Sequence, residues 1–233
     1  MERNDIDPKL KAQAKLELAD IYLFTDNVWE ATLLYQQVYM DFKNQEIGET
    51  AKFKNAKLSY YIGEFKWAQS QLDILKASTS KLIANDAMAL SLLISEHFDP
   101  DSNTIALGYY CHADLLEYRN KDEDALKTLD SITKAFSYHS IFPHMFMAKA
   151  RIFMKEGRFQ EADTLLGTIG KMYADDVLAD QALFLRARMN EEDLKSAAKG
   201  MALYESLMSK YPGSIYVPES RKRFRSLRGD KGF

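Results

Sequence analysis

Apolar residues step by three and four along most of this chain, and the stepping restarts after a glycine or a small polar turn. Before Gly157 stand Phe146, Ala150 and Phe153, with Met147 and Met154 alongside. After it come Ala162, Leu165, Leu166 and Ile169. Each side shows one face of a helix. Gly157 ends the first helix because glycine tolerates the left-handed cap conformation. The unit is therefore helix, short turn, helix. Ala162 is small so that the second helix can approach the first closely.

The phrase recurs. Gly63-Glu-Phe-Lys-Trp-Ala68 lies over Gly157-Arg-Phe-Gln-Glu-Ala162, and Leu72 and Leu166 follow four places after each alanine. In a first stretch Leu18, Ala19 and Tyr22 precede Ala31, Tyr35 and Val38. In a second, Phe53, Ala56 and Tyr60 precede Gly63, Ala68, Leu72 and Leu75. In a third, Tyr109, Ala113 and Leu116 precede Ala125, Leu129 and Ile132. The Phe146 unit is the fourth. In a fifth, Ala182 and Leu185 precede Ala202, Tyr204 and Leu207. Anchored on Ala31, Ala68, Ala125, Ala162 and the start of the last helix, the spacing is about 37 residues, except from Ala68 to Ala125, where about one extra helix fits. The approximate repeats are 12–45, 49–82, 106–139, 143–176 and 177–212, within one domain of 1–233. The extra helix is expected over 85–98, capped by Asn85 or Asp86 and ended by Asp99-Pro100-Asp101. The loop from Asn190 to Lys195 lengthens the turn of the fifth unit. After Tyr211-Pro212-Gly213-Ser214 a last helix over 215–228, carrying Val217, Phe224 and Leu227, caps the end.

Five such units in series, with Gly63 and Gly157 at the turn and Pro212 at the close, resemble the tetratricopeptide repeat, a helix pair of about 34 residues. The resemblance covers about Ala12 to Tyr211. It implies an all-α fold, a right-handed α-α superhelix with one inserted helix and a C-terminal capping helix. The strings from Trp29 to Val38, from Ser78 to Ala87 and from Tyr211 to Arg225 are similar to a family of uncharacterised bacterial repeat proteins of the cell envelope. The closing Tyr-Pro-Gly-Ser phrase is similar to that of repeat-containing outer-membrane assembly lipoproteins. Those relatives usually carry an export signal and further N-terminal repeats. The polar start of this chain has no apolar export segment, which leaves two readings of location: cytoplasmic, or the mature or truncated part of an envelope protein.

Composition narrows the field. Hydrophobic residues make up 46% and charged residues 28% of 233, with a net charge of −3, a globular balance with no basic bias toward nucleic acid. No stretch approaches the length of a membrane span. The one cysteine, Cys111, cannot form an internal disulfide or a Cys-based zinc site. Four histidines (His97, His112, His139 and His144) show no metal-ligand spacing, and no phosphate loop or nucleophile motif occurs. The expectation is no enzyme, no cofactor and no metal. The basic run Arg221-Lys-Arg-Phe-Arg225 fits a capping helix, whose C-terminal dipole favours cations.

The resemblance implies a partner held on the first helix of each pair, away from the alanine between helices. By register these positions are Asp20 and Phe24, then Phe53, Lys57 and Tyr61, then Tyr110, Asp114 and Tyr118, then Met147 and Arg151. Tyrosine and arginine dominate binding hot spots because they bury large area and keep a polar handle. The expected function is a scaffold or adaptor that binds a protein or peptide segment there. On that reading Tyr61, Tyr110, Tyr118 and Arg151 are solvent-accessible. Tyr60 and Tyr61 are adjacent, so one is expected in the core and the other, Tyr61, in the groove. The alternative is a structural spacer or weakly self-associating module, which expects an exposed apolar face on the first hairpin.

Overall fold

The computed structural model describes residues 7–97 and 104–230. Those residues form twelve α-helices and no strand. Five helix pairs are α1 (Pro8–Phe24) with α2 (Val28–Asp41), α3 (Glu46–Tyr61) with α4 (Phe65–Leu75), α6 (Ile105–Tyr118) with α7 (Asp122–Ala135), α8 (Phe142–Lys155) with α9 (Phe159–Met172), and α10 (Ala179–Glu192) with α11 (Ala197–Lys210). The inserted helix is α5 (Lys81–Glu96), and α12 (Val217–Arg228) is the cap.

One packing rule recurs in every pair. The fourth residue of each second helix is small and buried: Ala31, Ala68, Ala125, Ala162 and Gly200. Four places on stand Tyr35, Leu72, Leu129, Leu166 and Tyr204, and seven places on Val38, Leu75, Ile132, Ile169 and Leu207, all buried. Each first helix answers with a buried alanine at Ala19, Ala56, Ala113, Ala150 and Ala187. Small buried residues on both helices of a pair allow their backbones to approach closely. The flanking residues then bury their larger side chains, at about 1.5–3 kcal/mol each. The consecutive pairs thus make a tetratricopeptide-like, all-helical repeat fold.

The fifth pair corrects two positions of the repeated phrase. Gly200 holds the place expected of Ala202, which is exposed, and Ala187 holds the place given to Ala182. A Cβ on Gly200 would stand 3.2 Å from the Ala187 carbonyl oxygen, so even alanine crowds this crossing. The turns share a feature too. Asp26, Gly63, Asn120, Gly157 and Lys195 each adopt a positive φ between the helices of their pair. Glycine does this without strain, and Asp and Asn tolerate it, which is why the turn phrase varies.

The chain divides into two compact units, within residues 1–136 and 137–233. In the first unit α3 is central, packed against α1, α2, α4, α5 and α6. The inserted helix lies on α4 and α3. It begins at Lys81 after Ser80, a turn before the expected caps Asn85 and Asp86, because Ile83 and Ala84 already join the buried face of Ala87, Ser91 and Ile94. Its expected stop at 99–101 lies outside the described residues. Where α2 hands over to α3, a Cβ on Gly48 would sit 2.1 Å from the Phe42 carbonyl oxygen, so only glycine fits.

In the second unit α8 to α12 pack in chain order. Met147, Ala150, Ala162, Leu166, Ala182 and Met189 form one apolar cluster, and Phe184, Ala187, Tyr204, Leu207 and Val217 a second. The Phe184 and Tyr216 rings stack at 4.8 Å. Arg223 of α12 reaches Glu191 at 3.0 Å, Glu192 at 2.6 Å and Glu219 at 2.9 Å, so the middle of the basic run fastens the cap to the C-terminal end of α10.

Candidate functional site

The predicted contact residues of the first unit do converge, but largely inward. Tyr61 is only 4% exposed and Tyr110 only 6%, which corrects the expectation that both are accessible. The cause is the position of α3. Tyr60 is covered on the α4 side, 6.3 Å from Phe65, and Tyr61 on the α6 side, 6.1 Å from Tyr118. A helix with neighbours on several sides can bury adjacent residues. Tyr109 and Tyr110 exchange the places expected of them, Tyr109 being the exposed one. Met147, in the second unit, is likewise buried.

The error has a common register. Three residues before the first-helix alanine stand Leu16, Phe53, Tyr110, Met147 and Phe184. Four are buried and Phe53 is half-buried, so this position belongs to the core. One residue after the alanine stand Asp20, Lys57, Asp114, Arg151 and Arg188, and none of these is fully buried. Arg188 escapes an anchor on Ala182; anchoring the fifth pair on Ala187 finds it.

The accessible members are held in place. Asp20 accepts from the Tyr35 hydroxyl at 2.6 Å and from Lys54 Nζ. Burial, and then the Asp20 carboxylate, push the Tyr35 hydroxyl well above its ordinary pKa. Lys57 Nζ lies 5.4 Å from the Tyr61 ring centre, within range of a cation–π contact. Phe24 is exposed and meets the Tyr118 ring edge-on at 6.4 Å. The Tyr118 hydroxyl donates to the Asp20 carbonyl oxygen at 3.4 Å. Next to it, buried Arg119 donates Nε to the Leu23 carbonyl at 3.0 Å and pairs with Asp26 at 2.8 Å. The C-terminal ends of α1 and α6 are therefore tied together beside the end of α3. In the second unit Arg151 is exposed on α8.

Nearer the N-terminal ends of α1 and α3 the surface opens. A cleft of ≈ 570 Å³ is bounded by Gln13, Leu16 and Glu17 of α1 and by Ile47, Thr50 and Lys54 of α3. That volume lies within the range of ligand sites, and Leu16 and Ile47 are the apolar members of an otherwise polar lining. Lys54 stands at its edge, held by Asp20. Sequence periodicity could place the two helices but not this opening, which depends on how they splay.

Two titratable groups near the core are shifted by their surroundings. Burial, and then the Asp114 carboxylate, push the Cys111 thiol up to about 12. Burial, and then nearby Arg151, lower His144 to about 4. Among the described residues no helix is long and apolar enough to cross a membrane, and no three His, Cys, Asp or Glu side chains gather as a metal site.

No family model matches the chain, and no curated protein matches it. Among solved structures, it is similar to a kinesin light chain of Podosopora anserina with nearly identical TPR-like repeats. In a variant form of that protein the identity is 16%, over 91% of this chain and 97% of that one, with a TM-score of 0.41. In the other form it is 14%, over 97% and 100%, with a TM-score of 0.35. The fold rests on the packing rule within this chain.

Proposed function

We propose that this protein is a non-catalytic scaffold that binds a peptide segment or the surface of a protein partner on the first helices of its pairs. The observation that carries the reading is the open cleft between α1 and α3, lined in part by Leu16 and Ile47, with Lys54 of its lining held by Asp20. Asp20 and Phe24 of α1, Lys57 of α3 and Tyr118 of α6 extend the contact surface, and Arg151 with Arg188 provides it in the second unit. Tyr61, Tyr110 and Met147 support it from below as core residues. The non-catalytic reading is supported by Cys111 and His144, both shifted away from the neutral range where a nucleophile or general base works.

The test is a photo-activated cross-linking residue placed at Thr50, in the cleft, beside one at Lys134, on the exposed face of α7. A protein partner cross-linked from the native cell at Thr50 and not at Lys134 supports the proposal. Equal capture at both sites, or none at Thr50, removes it.

A second reading has its own observation. On α1, Leu10, Ala14, Leu18 and Ile21 form an exposed stripe on the side opposite the buried Ala12, Leu16, Ala19 and Leu23. On α2, Trp29 is 75% exposed and shares its side with Leu33 and Met40. Apolar area of this kind marks contact surfaces. It suits a self-associating or spacer module, including a module of a longer envelope protein. A concentration-dependent mass in sedimentation, abolished by Leu18→Glu with Leu33→Glu, distinguishes it from the scaffold.

A further inference from the structure

We propose that the second unit carries an anion-binding cleft for a single phosphate group, formed by α9, α10 and α11. The cleft measures ≈ 220 Å³ and is bordered by Lys171 of α9, Arg186 of α10, and Ser206 and Lys210 of α11. None of the described residues that line it is acidic. Its volume falls below the range of sites for larger ligands, about 300–1,000 Å³, and suits one compact anion.

Arg186 is pre-set for this. Its Nε and Nη2 bind both oxygens of Asp163 at 3.0 and 3.1 Å, which fixes the plane of the guanidinium and leaves Nη1 to donate elsewhere. Asp163 is itself held by Asn190 at 2.7 Å and Lys199 at 2.9 Å. Burial alone would raise its pKa, but these bonds win and bring it down to about 2. The carboxylate therefore stays charged and the arginine stays in place. Asp163, Arg186 and Lys199 together carry one positive charge, and Lys171 and Lys210 bring the neighbourhood to three. Asp175 and Asp180 stand on the Tyr211 side of the rim, Asp180 also acting on the Tyr216 hydroxyl, and the Tyr211 hydroxyl donates to the Ala174 carbonyl.

Two glycines make the room. A Cβ on Gly167 would lie 3.1 Å from the Arg186 guanidinium carbon, so the bare backbone lets that group lie against α9. Gly170 borders the same cleft, and a Cβ there would meet nothing within 4 Å. The dipoles of α9 and α11 favour lysines in their last turns. They do not account for the arginine edge left over between those lysines, nor for the glycine floor. A planar arginine fork, flexible ammonium groups and a hydroxyl donor together match the oxygens of a phosphate group.

The experiment uses the full chain and inorganic phosphate as probe, with melting followed against chloride at equal ionic strength. The wild type is compared with Gly170→Leu, which fills the cleft without changing charge, and with Lys171→Glu plus Lys210→Glu. Neither variant touches the Asp163 network. The expected result is a saturable rise in melting temperature for the wild type. In both variants it is lost, or the phosphate affinity falls by about tenfold or more, the size of a charge-assisted contact. A rise of equal size in all three proteins is the general stabilisation that phosphate gives by exclusion, and it overturns the proposal. So does a wild type that shows no saturable rise. Where the site is supported, vesicles with and without phosphatidic acid identify the source: retention on the acidic vesicles assigns a lipid headgroup, and its absence assigns a free phosphate compound.

Discussion

Arg119, the C-cap of α6, donates its Nε to the carbonyl oxygen of Leu23 on α1 across 3.0 Å. Those helices belong to pairs separated in the chain by α3, α4 and the inserted α5. The arginine is buried while its ion-pair partner, Asp26, is exposed, so the bond to the carbonyl at the end of α1 is the part that desolvation strengthens. Arg119→Ala leaves that carbonyl with only the longer bond from the Asp26 N–H at 3.4 Å and removes the buried arginine side chain. The expected loss is about 1–3 kcal/mol in urea unfolding, with faster amide exchange over residues 21–27. A change below about 0.5 kcal/mol, the level of an ordinary surface substitution, would count against the tie.

Gly48 gives a sharper steric test. Its missing Cβ would overlap the Phe42 carbonyl, which is backbone and cannot rotate away. Gly48→Ala gains helix propensity of about 1 kcal/mol in an unhindered site. Here the clash outweighs it, and a net loss of about 2 kcal/mol or more is expected. Gly170→Ala, with open space around it, serves as the control and is expected to stabilise slightly. Equal effects at the two sites in thermal melts would contradict the packing of α2 on α3.

The Asp163 network should divide unequally. Arg186 and Asn190 are largely shielded, whereas Lys199 is 43% exposed at its side chain. Asp163→Ala, which strands a buried guanidinium, is expected to destabilise by about 3 kcal/mol. Lys199→Ala should cost about 0.5 kcal/mol, as exposed ion pairs do. Double-mutant analysis by urea unfolding checks the division, and a larger loss from Lys199→Ala than from Asp163→Ala would reverse it.

Acid should weaken the second unit in two steps. His144 has a folded pKa lowered from 6.5 to about 4 by burial, so the unfolded chain takes up the proton first. Stability then falls as pH drops from 6.5 to about 4, by up to about 3 kcal/mol, and levels below that. Asp163, lowered from 3.8 to about 2, contributes stability above 3.8 that is lost as pH falls through 2. Urea midpoints of the wild type against His144→Gln test the first step. The variant should lose the slope between pH 6.5 and 4, and a slope that persists would assign it to other groups.

The repeat was legible because its cause is local. A small residue and two apolar ones at fixed offsets leave a trace in every second helix, and Ala31, Ala68, Ala125 and Ala162 are all where periodicity put them. The fifth pair was misregistered because glycine replaced alanine at 200 and the lengthened turn at Leu194 and Lys195 shifted the offset by one. The contact face was less legible. Period alone cannot say which side of α3 or α6 remains open, because that depends on the inserted helix and on α6 docking against α3. Tyr61 and Tyr110 were therefore expected outside and lie inside. The Asp163 network left no signal in one sequence, since its four members stand up to 36 residues apart and meet only through packing.

The most direct test sets Tyr61→Ala beside Thr50→Trp, with urea unfolding and partner capture measured on both. Tyr61 is core, so its truncation should lose about 3 kcal/mol or more. Thr50→Trp fills the α1–α3 cleft from its rim, so it should unfold like the wild type and lose the captured partner. If Tyr61→Ala is as stable as the wild type, or if Thr50→Trp captures the partner undiminished, the assignment of core and binding cleft in the first unit is contradicted.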